Sequence, residues 1–342
     1  MQHEILTAAP LLDRKGDLAE PGWARSLLPV YCRDEIKVGK LRIKEWDYYL
    51  ITDGHIGLAL TIADNGYMGL DSISFLHFDE GWEQTKSPMR LFPRGKTGLP
   101  ETSVDGASEI ARGGYAMAFY HEDDARCLTF HMDNFRGKDA IEGIVRLTDE
   151  PRESIVIATP FDKPKHFYYN QKINCLRAEG WIELGDRRFE LTPDHFFAVL
   201  DWGRGVWTYH NTWYWGSASG LLDGVPFGWN IGYGFGNTAA ASENALFYDG
   251  VLHKLSQVTF EIPQKDSKFD YLAPWKFTSD DNRFYMDFTP VLDRSACMNA
   301  GVLKSDQHQV FGRFTGRVTL DDGTVLPVRD FFGFAERVEN KW

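Results

Sequence analysis

The sequence predicts an all-β chain of two antiparallel barrel-like or sandwich-like units with few, short helices. Apolar residues recur with a period of two rather than 3.6, in short runs bounded by Gly, Asp and Asn. Turn dipeptides separate several of these runs. No helical stretch is long enough to act as a crossover between parallel strands, which disfavours a doubly wound α/β fold.

Taken in order, residues 57–62, 115–120, 127–132, 154–158, 181–184, 189–191 and 196–202 have strand length and strand composition. Leu184-Gly185-Asp186 marks a hairpin, as do Asp249-Gly250 between 246–248 and 251–254 and Asp322-Gly323 between 317–320 and 325–329. Their Gly and Asp residues accept the positive φ that tight turns demand. The best helix signals are 219–222 and 238–245. Many strands with few helices leave sandwiches and barrels, and closure removes exposed sheet edges. The Pro-rich stretch from Pro160 through Phe161, Asp162 and Lys163 to Pro164 interrupts the pattern, and we expect the units to be 1–162 and 163–342.

A length of 342 residues gives about two domains on the usual prior of roughly 150 each. Lys+Arg 37 against Asp+Glu 49 leaves a net charge of -12, so neither nucleic acid nor an anionic membrane is expected as a partner of the surface as a whole. Residues 1–15 carry Glu4 and Asp13 without the basic-then-apolar pattern of a secretory leader, and we expect a cytoplasmic protein. No apolar run approaches the roughly 18 residues of a membrane span, so no integral membrane segment is expected. Cys32, Cys127, Cys175 and Cys297 form no C-x-x-C pair and are expected to be buried thiols. The aromatic share stands out: 11 Trp, 14 Tyr and 24 Phe make 14% of the chain, enough to wall a core or a cavity.

Those rings concentrate between Asp194 and Asn237, interleaved with polar residues. If 206–215 is extended, Trp207, Tyr209, Asn211, Trp213 and Trp215 share one face, and Thr208, His210, Thr212 and Tyr214 the other. Asp201 follows Phe197 and Val199 on one face of the preceding strand. Burial beside rings disfavours the ionised carboxylate and suits Asp201 to general-acid work. The competing reading makes the rings packing and pairs Asp201 with Arg204 across a turn. His210 has the chemistry for proton transfer, against a structural hydrogen-bonded role. The Gly232, Gly234, Gly236 series lacks the x-x-G step and the βαβ setting of a dinucleotide loop.

A second cluster, 166–180, holds Tyr169, Asn170, Lys172, Asn174 and Glu179, of which Glu179 beside Gly180 is the acid/base candidate. Residues 45–49 and 329–336 also set acids beside rings. The ten histidines contain no H-x-H or H-E-x-x-H element and no serine sits in G-x-S-x-G, so neither a metal nor a redox cofactor is expected.

The run Leu200-Asp201-Trp202-Gly203-Arg204-Gly205-Val206-Trp207 with Trp213, Trp215 and Ser217-Ala218-Ser219-Gly220 resembles the domain-of-unknown-function 2804 family. So do Lys172-Ile173-Asn174-Cys175, Glu243-Asn244-Ala245-Leu246-Phe247, Asp249-Gly250, His253-Lys254-Leu255 and Phe311-Gly312-Arg313-Phe314, which together span nearly the whole chain. That family is similar in turn to calycin-type proteins of two lipocalin domains, which include carotenoid hydratases and tocopherol cyclase. The resemblance implies lipocalin-like units, a pocket for an apolar or amphipathic molecule, and acid-assisted hydration, cyclisation or isomerisation. No catalytic residue of those relatives matches here residue by residue.

In the enzymatic reading, Asp201 or Glu179 protonates an alkene or carbonyl and His210 assists. Trp207, Trp213, Trp215 and Tyr233 shape the cavity, and Tyr169, Asn230 and Arg204 complete the binding set. In a second reading the same rings form a passive site for a lipid or isoprenoid. In a third they are sugar platforms beside a pair of catalytic carboxylates.

Overall fold

Residues 2–299 and 304–341 are described in the computed structural model. Alternation decides the faces of its strands. In Ile56–Asp64, Leu58, Leu60 and Ile62 enter one apolar core while Ala59 and Thr61 look the other way, and in Met68–His77 the core takes Ile73 and Phe75 while Ser72 and Ser74 turn to the opposite face of the sheet. Every sequence-predicted strand lies within or beside an observed one, and the three predicted hairpins form with Gly185, Gly250 and Gly323 at positive φ.

The first sheet runs in the order Trp82–Lys86, Met68–His77, Ile56–Asp64, Ile43–Thr52, Phe197–Val206, Phe167–Leu184, Asp139–Thr148, Ala125–Arg136, Tyr115–Glu122, Ser108–Arg112, with antiparallel neighbours throughout. It curls into a half-barrel around one core, since Leu58 and Phe75 from one end pack in the same cluster as Met117, Leu128 and Ile141 from the other. Polar contacts fasten the approaching ends: the Tyr115 hydroxyl donates to Asp71 at 2.9 Å and the Arg136 guanidinium lies 3.7 Å from the Trp82 ring centre. The second sheet centres on His210–Leu222, Val325–Lys341, Lys304–Thr319 and Phe284–Asn299, with its own core around Trp229, Phe277, Phe288 and Phe314.

A bulge joins the two. The Phe167–Leu184 strand shifts register between Ile173 and Leu176, with Cys175 at φ 62, and Asn174 is pushed out to donate to Ser217 Oγ at 2.8 Å and the Trp229 carbonyl at 3.1 Å on the second sheet. Gly228 leaves the room this needs, because a Cβ there would sit 2.9 Å from Cys175 Sγ.

Several expectations are corrected. Residues 219–222 belong to the His210–Leu222 strand, where Ser219 pairs with Gly228, and 238–244 form a loop tied by Ser242 N–H to Gln2 Oε1 at 2.9 Å. Segments this short cannot pass helix nucleation against available strand and side-chain partners. The helical content of the described residues is two single 3-10 turns, Arg33–Glu35 and Lys40–Arg42. Residues 206–215 are not one strand: the chain leaves the first sheet at Val206 and enters the second at His210. The Pro160–Pro164 stretch is a turn inside the first sheet, joining Ile155–Pro160 to Phe167–Leu184, which pair with each other. The chain changes sheet at 207–209. Cys127 and Cys175 are buried, Cys32 is half-buried, and Cys297 is exposed because it lies on Phe284–Asn299 past the core packing of Phe284, Met286 and Phe288. No described helix is long and apolar enough to cross a membrane.

Candidate functional site

The faces that neither core uses meet between the sheets and enclose a cavity of about 470 Å³. Trp46 and Tyr48 reach it from Ile43–Thr52, Asp201 from Phe197–Val206, and Tyr168 and Lys172 from Phe167–Leu184. The second sheet supplies Trp213, Trp215, Arg294, Gln309 and Glu336. Polar contacts cross the seam beside it: Arg294 Nη1 donates to Ser74 Oγ at 3.0 Å, and Gln309 Nε2 to the Tyr48 hydroxyl at 3.3 Å.

One wall is aromatic. Trp46 stacks on Tyr168 with ring centres 6.0 Å apart, Trp207 meets Trp46 edge-on at 5.2 Å, and Phe235 closes against Trp207 at 4.7 Å and Trp213 at 5.2 Å. Gly203 makes the Trp46 position possible, since a Cβ there would fall 1.9 Å from the indole.

Charge gathers in the same lining. Lys172 Nζ lies 2.8 Å from Asp201 Oδ2, 3.6 Å from Glu243 Oε2 and 4.0 Å from the Trp215 ring centre. Asn170 donates to Asp201 Oδ1 at 2.6 Å. Asn230 donates to Glu243 Oε2 at 3.0 Å and accepts the Trp215 indole N–H at 2.7 Å, locking ring and acid together. Glu336, also buried, accepts the Trp213 indole N–H at 2.9 Å. Burial raises the Glu336 carboxyl to about 7; the Trp213 hydrogen bond, Arg294 and Lys172 oppose that rise and Asp201 adds to it. Burial raises Glu243 as well, against the pull of Lys172.

Of the residues singled out in the sequence, Asp201, Trp207, Trp213 and Trp215 line the cavity, and Asn230 stands behind Glu243. The others lie elsewhere. Arg204 shares a strand with Asp201, but the alternation turns it to the opposite face, where it is fully buried against Asp47 at 3.0 Å; the expected Asp201–Arg204 pair does not form. Tyr169, one residue from the cavity residue Tyr168, points into the first core and donates to the Pro29 carbonyl at 2.5 Å. Glu179 is half-buried opposite Arg146 in the strand ladder. His210 is exposed, with Nε2 3.6 Å from Glu339 Oε1. Tyr233 stacks on Tyr214 at 4.5 Å against the second core.

Lys172, Glu243, Glu336, Trp46 and Tyr168 complete the site without having been selected from the sequence. Lys172 and Tyr168 lie in the 166–180 cluster and Trp46 and Glu336 in the 45–49 and 329–336 segments, whereas Glu243 belongs to a stretch notable only for the family resemblance; nothing in these segments tells which residue turns inward. Among the described residues no group of three or more His, Cys, Asp or Glu is arranged to hold a metal ion.

The family model "Domain of unknown function (DUF2804)" matches residues 2–342. A Nitrosomonas europaea protein provisionally named AttH superposes with a TM-score of 0.57 at 14% identity, covering 96% of this chain and 98% of its own. Kievitone hydratase from Nectria haematococca aligns with a TM-score of 0.48 at 8% identity over 98% of each chain. No curated protein sequence matches the chain.

Proposed function

We propose that this chain, which belongs to the DUF2804 family, is an enzyme that admits one apolar or amphipathic small molecule between its sheets and transfers a proton to it. The observation that carries this reading is the convergence of Asp201 and Glu243 on the Lys172 ammonium, with Glu336 lining the same aromatic-walled cavity. A cavity evolved for passive storage of an apolar molecule gains nothing from buried ions, whose desolvation costs several kcal/mol each. Proton transfer needs them.

Glu336 is the acid in this reading. A carboxyl with its titration near neutral pH keeps a transferable proton and regains it readily. Protonation of an alkene carbon or carbonyl oxygen leaves positive charge on the ligand, which in this reading the cavity-lining rings of Trp46, Trp213 and Trp215 and the carboxylate of Asp201 stabilise. Capture of that charge by water is hydration, capture by a group of the same molecule is cyclisation, and loss of a neighbouring proton is isomerisation. Lys172 and Asn170 hold Asp201 in place, and its carboxylate accepts the proton that leaves. Glu179 and His210, outside the cavity, have no part in this scheme.

The test begins with native mass spectrometry to identify the molecule that co-purifies, followed by incubation of the complex in deuterated water. Wild-type protein is expected to place solvent deuterium on carbon. Glu336→Gln is expected to bind the same molecule and exchange about a hundredfold more slowly or worse. A molecule bound equally by both proteins, with no deuterium incorporated by either, overturns the reading in favour of a passive carrier. Asp201→Asn separates the acceptor role, losing exchange while retaining binding.

A further inference from the structure

Beside the cavity mouth, the first sheet carries a surface that proton transfer does not use. Residues 88–98 read Pro-Met-Arg-Leu-Phe-Pro-Arg-Gly-Lys-Thr-Gly and residues 36–44 read Ile-Lys-Val-Gly-Lys-Leu-Arg-Ile-Lys, with no acid in either, in a chain of net charge -12. The two segments are neighbours through Gly66: its carbonyl accepts the Arg94 N–H at 3.1 Å, and a Cβ on it would lie 2.6 Å from the Lys40 carbonyl oxygen. Leu41, Met89, Leu91 and Phe92 stand out from this surface, Leu91 with 78% and Phe92 with 53% of its area exposed. Lys37, Lys40, Arg94 and Lys96 are exposed among them.

The display is held in place rather than loose. Phe92 and Arg94 both adopt left-handed backbone, φ 50 and 54, which side chains other than glycine pay for in steric strain. The Phe92 N–H bonds the Tyr67 carbonyl at 2.9 Å, and the fully buried Asp64 accepts the N–H groups of Gly66 and Gly95 and the Thr97 hydroxyl at 2.8–2.9 Å. Arg90, itself buried, anchors the strand on Asp71. The lip is continuous with the cavity: Met89 lines it, and Leu91 sits opposite Met68, which lines it too.

We propose that this lip docks on the surface of an anionic lipid bilayer. Leu41, Leu91 and Phe92 enter the headgroup region, and Lys40, Arg94 and Lys96 meet lipid phosphates. Apolar side chains interleaved with cations are what a peripheral contact requires; the exposed acids Asp34, Glu35 and Glu101 sit at the edge of this surface beside Arg33, and the negative charge elsewhere on the chain orients the face toward the membrane. The docking stands by itself; its purpose, passage of a lipophilic molecule between bilayer and cavity, rests on the function proposed above.

Vesicle flotation of the full chain tests it, using phosphatidylcholine alone and phosphatidylcholine with about one-third phosphatidylserine at low salt. The protein is expected to float with the anionic vesicles and to stay behind with the neutral ones. Leu91→Ser with Phe92→Ser is expected to weaken binding about tenfold or more. Arg94→Gln with Lys96→Gln is expected to weaken it about fivefold per charge and to flatten its salt dependence. All four side chains are exposed, so an unchanged melting temperature shows that the variants fold. Absence of flotation by the wild type, or equal flotation by the variants, overturns the proposal. So does self-association abolished by Phe92→Ser in a protein that ignores vesicles, which would assign the lip to a second copy of the chain.

Discussion

Arg90 and Arg204 in the half-barrel and Lys172 in the seam between the sheets are all buried cations, yet their surroundings differ. Arg90 meets Asp71 through two contacts of 2.7 and 2.8 Å and gives its remaining donors to Thr97 and the Ala63 carbonyl. Arg204 faces Asp47 and the carbonyls of Trp46, Gly203 and Pro100. Each is matched to one acid. Lys172 is instead shared by Asp201 and Glu243, and Glu336 has no cation within 4.0 Å among the described residues. A matched pair is a neutral unit that has only to persist, whereas a surplus of buried acid near neutral pH must hold a proton or release one. The half-barrel uses charge as structure, and the seam keeps it available for chemistry.

The largest expected effect comes from breaking a matched pair. Asp71→Ala leaves the Arg90 guanidinium buried without its acid, and urea denaturation is expected to show a loss of about 3–5 kcal/mol. A loss under about 1 kcal/mol would mean that water reaches the pair and would erase the contrast with the seam.

Glu336→Gln is expected to act in the opposite direction. The folded carboxyl titrates at about 7 rather than 4.5, so between those values the unfolded chain has lost the proton that the folded chain keeps. Stability from this group is complete below pH 4.5 and drains away as pH rises to about 7. The glutamine does not titrate. The variant is therefore expected to match the wild type at about pH 4 and to exceed it by about 2–3 kcal/mol at about pH 8. A wild type that gains on the variant as pH rises would reverse the sign and place an unseen cation beside Glu336.

A smaller effect sharpens the aromatic wall. Gly203→Ala forces its methyl group into the space of the Trp46 indole and is expected to cost about 1–3 kcal/mol, with a shift in tryptophan fluorescence as the cavity wall moves. Unchanged fluorescence would mean that the backbone absorbs the methyl group instead. The smallest effect belongs to Tyr115→Phe, which removes one of the donors to Asp71 while sparing Arg90 and is expected to cost about 1 kcal/mol in thermal denaturation.

Local patterns made the fold legible. Alternation and the Gly-containing turns are properties of neighbouring residues, so the strands and hairpins around Gly185, Gly250 and Gly323 could be read directly. Asp201, Trp213 and Trp215 were legible for a related reason, being unusual residues in an alternating run. The rest of the site depends on distant pairing. Glu336 meets Trp213 from a strand more than a hundred residues further along, beside the Trp215–Glu336 register pair. Glu243 arrives from a loop. Tyr168 and Tyr169 are equivalent as sequence, and only the placement of their strand between two sheets sends one to the cavity and the other to the core. Glu179 and His210 were chosen by chemical type, which carries no information about position.

The protonation state of Glu336 is the most direct point to measure. The infrared difference spectrum between wild type and Glu336→Gln, recorded from about pH 6 to about pH 9, isolates the carboxyl of this residue. The wild type is expected to show the carbonyl band of a neutral carboxylic acid at the lower value, fading with a midpoint at about 7. A carboxylate band already complete at about pH 6 would contradict it, leaving the cavity with buried charge but without the acid that the proposed chemistry needs.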